Sequence, residues 1–560
     1  MAAVLVAAPQ APARPPAKGA FPGVVVCASA PACDAGASAL ARGGNAVDAA
    51  VATAFALAVT LPAAGNIGGG GFMVVRTPAG DVTTFDYRET APLKATPTMY
   101  LRSDGTIDDA LTAAGYLAAG VPGTVRGLAA AHRKFGRLPW RDLVLPAVAL
   151  ADEGFPVSAS LAESLNAALP KMAPFDASVA AYGRPGGGRW QEGDRLVLPD
   201  LARTLRAIAT EGPDAFYTGW IADLIARDME VNGGLITRED LARYTARERP
   251  PVRGTYRGYD VASMGPPSSG GVALVQMLNI LEPMELRTRG PLGAPALHLQ
   301  IEAMRRAYLD RARHLGDPDF TDVPVERLTS KEYARELAAG IDPGRASRSD
   351  ALGADLLSAA APESGETTHY SVLDADGMAV ATTTTLEGSY GSFVVVRGAG
   401  FLLNNEMGDF NRKPGYTDTA GAIGTPPNTI SPGRRMLSSM TPTIVTRDGQ
   451  VVLITGSPGG RTIINTVLRV VLGVTEYALT GSEAVALPRL HHQWMPDRVS
   501  VEAGTPEDTV RSLRAMGHEV RPVERQGSAQ SIWVAPDGRP HGANDLRSPD
   551  SKASVPARAD

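Results

Sequence analysis

The hydrophobic pattern of this chain changes period along its length. The longest apolar stretch, Ala49 to Ala64, is interrupted by Thr and Pro and is too short to span a membrane, so it predicts a buried core helix. Gly43-Gly-Asn45-Ala-Val-Asp48 opens that helix, with Asn45 or Asp48 suited to its start, and Leu61-Pro62 ends it. The run Gly65-Asn-Ile-Gly-Gly-Gly-Gly71 then leads into a strand beginning Phe72-Met-Val-Val. Consecutive glycines imply that the backbone passes close to something, and a helix packed on them is preferred to ligand contact. A second strand ends at Thr84-Phe-Asp-Tyr-Arg88. From Gly120 to about Met284 the periodicity is mostly helical, as in Val125 to Phe135, Leu143 to Glu153 and Leu201 to Ile208. Gly265-Pro-Pro-Ser-Ser-Gly-Gly271 turns the chain into a helix over Val272 to Leu281, and another helix runs from Ala296 to His314.

The period switches to two at Thr367. His369 to Leu373 and Met378 to Leu386 are β-branched and apolar, and Asp374-Ala-Asp-Gly377 supplies a turn between them, so a hairpin is expected. Short strands follow at Phe393 to Val396, Phe401 to Leu403, Pro442 to Val445 and Val451 to Thr455. Asn411 to Arg435, rich in Gly, Pro, Asn and Thr, is a long loop of the kind that serves as a lid or stays disordered. Ile454-Thr-Gly-Ser-Pro-Gly459-Gly460-Arg461-Thr462 runs from strand through glycines into the helix Ile463 to Leu472. That arrangement makes an anion-binding nest, and without the Lys-Ser/Thr ending of a P-loop an oxyanion hole suits it as well as a phosphate does.

Composition narrows the classes. Apolar content of 44%, charged content of 20% and a formal charge of −5 describe a globular protein without the basic footprint of a nucleic-acid binder. Sixty glycines and 44 prolines imply many tight turns. Two cysteines, Cys27 and Cys33, exclude a disulfide framework and a four-cysteine zinc site, and their own pairing stays open. The N-terminus lacks the basic region of a signal peptide and reads as a tail of about 20 residues. The histidines are scattered and no HExxH or GxSxG occurs, so no metal or cofactor is expected.

Two residues point to chemistry. Thr367 follows Ser358 to Glu366, a stretch of Ala, Pro, Ser, Gly and Glu that looks like exposed linker, where chains are cut. A threonine freed there as a chain terminus carries a hydroxyl nucleophile and an α-amine base on one residue, although Thr-rich strands also arise from β-propensity alone. Arg88, if buried at its strand end, needs an anion. From the residues alone an internal carboxylate such as Glu89 is preferred to a substrate carboxylate.

Taken in order, GGNAVDAAVA, GNIGGGGF, DYRETAP, GVPGTVRG, PPSSGG, LGDPDF, TTHYSVLDADG, LLNNEMGDF, LSSMTPTIV, TGSPGGRTI and HHQW resemble the γ-glutamyltranspeptidase family over nearly the whole chain. The resemblance implies an α+β fold of the N-terminal-nucleophile hydrolase type, a four-layer αββα sandwich. It implies self-cleavage between Glu366 and Thr367 into a large subunit, 1–366, and a small subunit, 367–560. Thr367 would then be the nucleophile, Thr385 its hydrogen-bonding threonine, and Gly459 and Gly460 the oxyanion hole. Arg88, Ser438 and Ser439 match carboxylate binders, which makes the arginine's anion the substrate. Glu387, Glu406 and Asp409 match positions around the substrate ammonium. Glu387 is often Asn in the family and Glu406 often Gln, so this chain is more acidic there, and a strict demand for the α-amine is expected. The implied substrates are glutathione and other γ-glutamyl compounds, with amino acid or peptide acceptors, in a periplasmic or secreted setting. Asn411 to Arg435 corresponds to the family's lid. A glutaryl (cephalosporin) acylase of the same fold, or an uncleaved γ-glutamyl-binding homologue, are the alternatives.

Overall fold

A computed structural model describes residues 21–357 and 366–557, with the backbone alone at Glu366; the N-terminal tail and most of the predicted linker lie outside them. Two antiparallel sheets form the centre. Their strands in chain order are β1 (Val24–Cys27), β2 (Gly70–Arg76), β3 (Val82–Asp86), β4 (Arg247–Arg249), β5 (Val252–Tyr256), β6 (Tyr259–Ser263), β7 (Glu366–Leu373), β8 (Ala379–Glu387), β9 (Thr443–Arg447), β10 (Gln450–Thr455), β11 (Ser531–Val534), β12 (Pro540–Ala543) and β13 (Lys552–Ser554). The first sheet runs β13-β1-β7-β8-β2-β3-β4 and the second β12-β11-β10-β9-β6-β5.

Alternation along the strands builds the layers. Phe72 and Val74 of β2 point between the sheets, with Val24, Val26, Ile444, Ile454 and Ile532. Met73 and Val75 point the other way, into a core shared with α1 (Ala30–Ala41), α2 (Ala46–Thr60), α4 (Trp140–Asp152) and α5 (Pro199–Glu211). On the far side, Val445 and Leu453 face α6 (Gly270–Leu281), α7 (Ala294–His314) and α8 (Thr462–Thr475). Between α2 and α4 lies α3 (Thr124–Phe135). The result is helix, sheet, sheet, helix: the expected αββα sandwich. Because both faces of the central strands are covered, β2 is buried at every residue.

Both proposed starts of α2 are used. The Asn45 side chain accepts from the Val47 and Asp48 amides, and Asp48 returns a bond to the Asn45 amide. The glycine run is explained differently from expectation. Only Gly65 faces a helix, with an added Cβ 2.2 Å from the Leu57 carbonyl oxygen. At Gly68, Gly69 and Gly71 a Cβ would lie 2.1, 2.1 and 2.5 Å from the carbonyl oxygens of Leu402, Thr385 and Thr383. Neighbouring backbone, chiefly that of β8, rather than a helix excludes side chains there.

Three strands, β4 to β6, lie inside the stretch read as mostly helical; they are short and half exposed, so their pattern is weak. Phe393 to Val396 and Phe401 to Leu403 are not strands: a single bridge, Val395 to Leu402, joins them. Their backbone turns sharply, with Tyr390 and Phe393 at φ of 64° and 62°. Cys27 and Cys33 are joined in a disulfide. No helix among the described residues is long and apolar enough to cross a membrane.

Candidate active site

Strands β7 and β8 form the predicted hairpin. The Asp374 carboxylate closes its turn by accepting from the Asp376, Met378 and Ala46 amides, which also ties the hairpin to the start of α2. The chain is continuous through Glu366-Thr367, both in β7. Register sets Thr367 opposite Thr385, and Thr385 opposite Gly70 of β2. The Thr367 hydroxyl lies 3.4 Å from that of Thr385, which accepts from the Glu387 amide at 2.7 Å. A bulge between Thr385 and Glu387, with Glu387 at φ of 75°, breaks the alternation and re-aims the residues after Thr385. Asn66 fastens the row from behind, donating to the Thr385 carbonyl at 2.8 Å and accepting from Gly69 and Thr124.

A cavity of about 220 Å³ opens in front of this row, and it is lined by Thr367, Thr385, Gly459, Gly460, Arg88, Glu387, Glu406, Asp409, Ser438 and Ser439. The predicted residues therefore converge, from positions far apart in the chain. Gly459 and Gly460 have φ of 126° and 54°, in the region that favours glycine, just before α8. Neither amide is spent on another described residue, and successive N–H groups at a helix entry present a positive concavity.

Arg88 has internal carboxylates around it, as its burial at a strand end requires: its guanidinium donates to Glu406 and to Asp409, and Glu89 lies 3.6 Å away. Burial works to lower the Arg88 pKa, but Glu406, Asp409 and Glu89 outweigh it and hold it above the usual value. The acids pay for this crowding. Burial raises Glu89 to about 7 against the pull of Arg88, and burial together with the nearby carboxylates raises Glu406 well above the carboxylate range. Both Glu89 oxygens and Glu406 Oε2 are buried without a partner unless a proton sits between the two groups, which is what a raised pair implies. Glu387 accepts from Asn405 beside this cluster.

Residues that sequence reasoning missed complete the lining: Arg311, Met440, Arg461, Thr462, Ile463, His491 and Gln493. Arg311 donates to Ser439 Oγ at 3.1 Å and to Ser269 Oγ at 2.9 Å. A polar residue on α7 one position after Asp310 carries no pattern that marks it as a site. His491 accepts from Asn465 and pairs with Gln493, and burial lowers its pKa to about 4, so it is a neutral imidazole. The loop Asn411 to Arg435 is folded rather than loose. Asp418 accepts from three amides within it, Asn428 donates to the Asp409 carbonyl, and Thr425 donates to Ala312 of α7. Away from the cavity, His298, Glu302 and His518 approach one another closely enough for a metal. Glu302 is already held by Arg305, Arg306 and the Ser347 amide, and the two imidazoles bond each other at 2.8 Å, although His518 Nδ1 is buried without a described partner.

The family model for γ-glutamyltranspeptidase matches residues 32–555. A glutathione hydrolase proenzyme of Escherichia coli is 48% identical over 528 residues, 94% of this chain and 91% of that protein. Among solved structures, a Helicobacter pylori γ-glutamyltranspeptidase chain is 45% identical with a TM-score of 0.58, covering 59% of this chain and 95% of its own. A cephalosporin acylase from Bacillus halodurans superposes over 100% of this chain and 99% of its own, with a TM-score of 0.83 at 26% identity.

Proposed function

The chain belongs to the γ-glutamyltranspeptidase family, and from that premise we propose a self-processing γ-glutamyltransferase and glutathione hydrolase with Thr367 as its nucleophile. The observation that carries this reading is the meeting of the Thr367–Thr385 row with the paired Gly459–Gly460 amides in one cavity. In the uncut chain the Thr367 hydroxyl attacks the Glu366 carbonyl, and hydrolysis of the resulting ester leaves residues 1–366 and 367–560. The freed α-amine has a reference pKa of roughly 7.7–8.0, suited to a general base near neutrality. Thr367 Oγ then attacks the γ-carbonyl of a donor such as glutathione, Gly459 and Gly460 hold the oxyanion, and the acyl-enzyme passes to water or to an amine.

The Arg88 cluster suits a zwitterion. A donor's α-carboxylate takes over Arg88, with Ser438 and Ser439, while its α-ammonium takes over Glu406 and Asp409, with Glu387 beside them. Inserting one charge of each sign leaves the buried cluster's balance unchanged, whereas a donor lacking the amine would strand the acids. A cysteine pair joined in a disulfide fits an oxidising, outward-facing compartment, and Asn411 to Arg435 serves as the lid.

The whole-chain superposition on a cephalosporin acylase favours a second reading, glutaryl amide hydrolysis. Denaturing gels test the first reading: wild type gives two bands and Thr367→Ala one, with activity lost by at least about a thousandfold. With the same preparations, γ-glutamyl anilide turns over and glutaryl anilide does not. Equal turnover of the two would make the acylase reading the better one.

A further inference from the structure

A second cavity, of about 660 Å³, lies at the far end of the sandwich and shares no lining residue with the first. Strand β2 runs from one to the other. Its Gly70 stands opposite Thr385, and its last residue, Arg76, lies roughly 20 Å further along at about 3.3 Å per residue. The alternation that puts Phe72 and Val74 between the sheets points Arg76 the same way, opposite Val82 of β3. The second sheet meets it with two rows on its inner face. Arg253, Ala262 and Ile444 are in register across β5, β6 and β9, and Thr255, Asp260 and Thr446 form the next row outward. All of these residues line the cavity.

Charge is unmatched there. Arg76 is only 8% exposed, yet its guanidinium donates to carbonyls alone, those of Thr77 and of Gly449 in the turn between β9 and β10. Its Nε has no described partner and is not sealed from solvent. Burial lowers its pKa and no anion raises it, the reverse of Arg88, where three carboxylates outweigh burial. Arg253 is exposed on the edge strand β5 and, like Arg76, is ion-paired with no described carboxylate. Lys331 also lines the cavity but is matched by Glu282. Asp260 is the one acid among the described lining residues, so two guanidinium groups against one carboxylate leave one positive charge. Beside that charge, Val82, Ala262 and Ile444 form an apolar wall.

We propose that this cavity binds a small organic anion, with its carboxylate or phosphate head on Arg76 and Arg253 and its apolar body against Val82, Ala262 and Ile444. A buried cation is ordinarily paired within the fold, and Arg76 is not. Its carbonyl partners supply hydrogen bonds without charge, so an oxyanion adds what the fold leaves out. Arg76 also ties the two sheets together through Gly449, and an anion need not break that bond, because a guanidinium has further N–H groups to offer. Both head groups suit a guanidinium, which holds either through parallel charge-assisted bonds. The apolar body gains by covering surface that water otherwise wets.

Isothermal titration of the full chain at low ionic strength tests this. Hexanoate and hexyl phosphate have both head and body, whereas acetate lacks the body and 1-hexanol lacks the charge. At least one of the two larger anions should bind wild type about tenfold or more tightly than 1-hexanol, the gain typical of a charge-assisted bond. The tighter of the two identifies the head group, and acetate should bind more weakly than hexanoate. Arg76→Gln should weaken the binding about tenfold or more, and Arg76→Lys by less. Arg253→Gln, at an exposed position that the fold does not depend on, should weaken it about threefold. Urea midpoints establish that each variant is folded. The inference is overturned if neither anion binds, if 1-hexanol binds as tightly as they do, or if Arg253→Gln and every folded Arg76 variant keep the full affinity. Heat of binding is the readout, so failure of the chemistry proposed at Thr367 would leave this site standing.

Discussion

At the scale of single residues, the burial of Glu89 makes the clearest prediction. Its pKa rises from 4.5 in an unstructured chain to about 7 in the fold. A carboxyl raised in this way binds its proton more tightly folded than unfolded. The associated stability is complete below about pH 4.5 and is lost as pH climbs through 7. The amount is roughly 3 kcal/mol, and it is linked to Glu406, which burial raises beside it. Buried His369 and His491, lowered to about 3 and 4, act oppositely and below pH 6.5. Urea unfolding of wild type against Glu89→Gln isolates the carboxyl, since the histidines are common to both. The advantage of wild type should shrink steadily from pH 5 to pH 8; a constant difference would show that Glu89 is ionised throughout. Single residues are also where the chain is most legible and least complete. Thr367 stands out by its place after a linker; for Arg88 the residues alone point to an internal carboxylate such as Glu89 but not to Glu406 and Asp409, which lie more than 300 positions away.

At the scale of elements, strand β2 carries the site on its back. Its glycines let it press against β8, and Gly69 admits the carbonyl of Thr385 into the space a Cβ would fill, 2.1 Å away. Gly69→Ala should cost roughly 1–3 kcal/mol as overpacking against backbone and should slow self-cleavage by displacing Thr385. Gly340→Ala is the control, because its nearest atoms lie at 3.6 and 3.7 Å, ordinary contact. Urea midpoints and gel time courses measure both; equal effects would show that the close approach does not matter. Helices and the long hairpin announced themselves through sustained period. Strands β4 to β6 did not, since three to five half-exposed residues leave little pattern. Their place is set by pairing partners, β3 for β4 and β9 for β6.

For the molecule as a whole, the two pieces on either side of Glu366-Thr367 are woven together. In the first sheet β13, β8 and all of β7 except Glu366 come after the cut while β1, β2, β3 and β4 come before it, and β1 lies between β13 and β7. The second sheet pairs β9 with β6 across the same divide. Cleavage removes one peptide bond and none of these ladders. Size exclusion of the cleaved protein should therefore give one peak near the 58.4 kDa of the full chain. Two bands should appear only under denaturing conditions; two native peaks would mean that the interleaved sheets do not hold the pieces.

Local pattern alone determined the hairpin at Thr367, the core helix and the glycine nest before α8, whereas the candidate reactive residues rest on the resemblance of whole motifs. Each of those three elements depends on neighbours within a few positions. Tertiary structure decided which carboxylates surround Arg88, that burial raises Glu89 and Glu406 there, which backbone the glycines admit, and that Arg311 and Arg461 face the cavity. Those outcomes depend on burial and on charges brought together from distant parts of the chain, and neither leaves a trace in local periodicity.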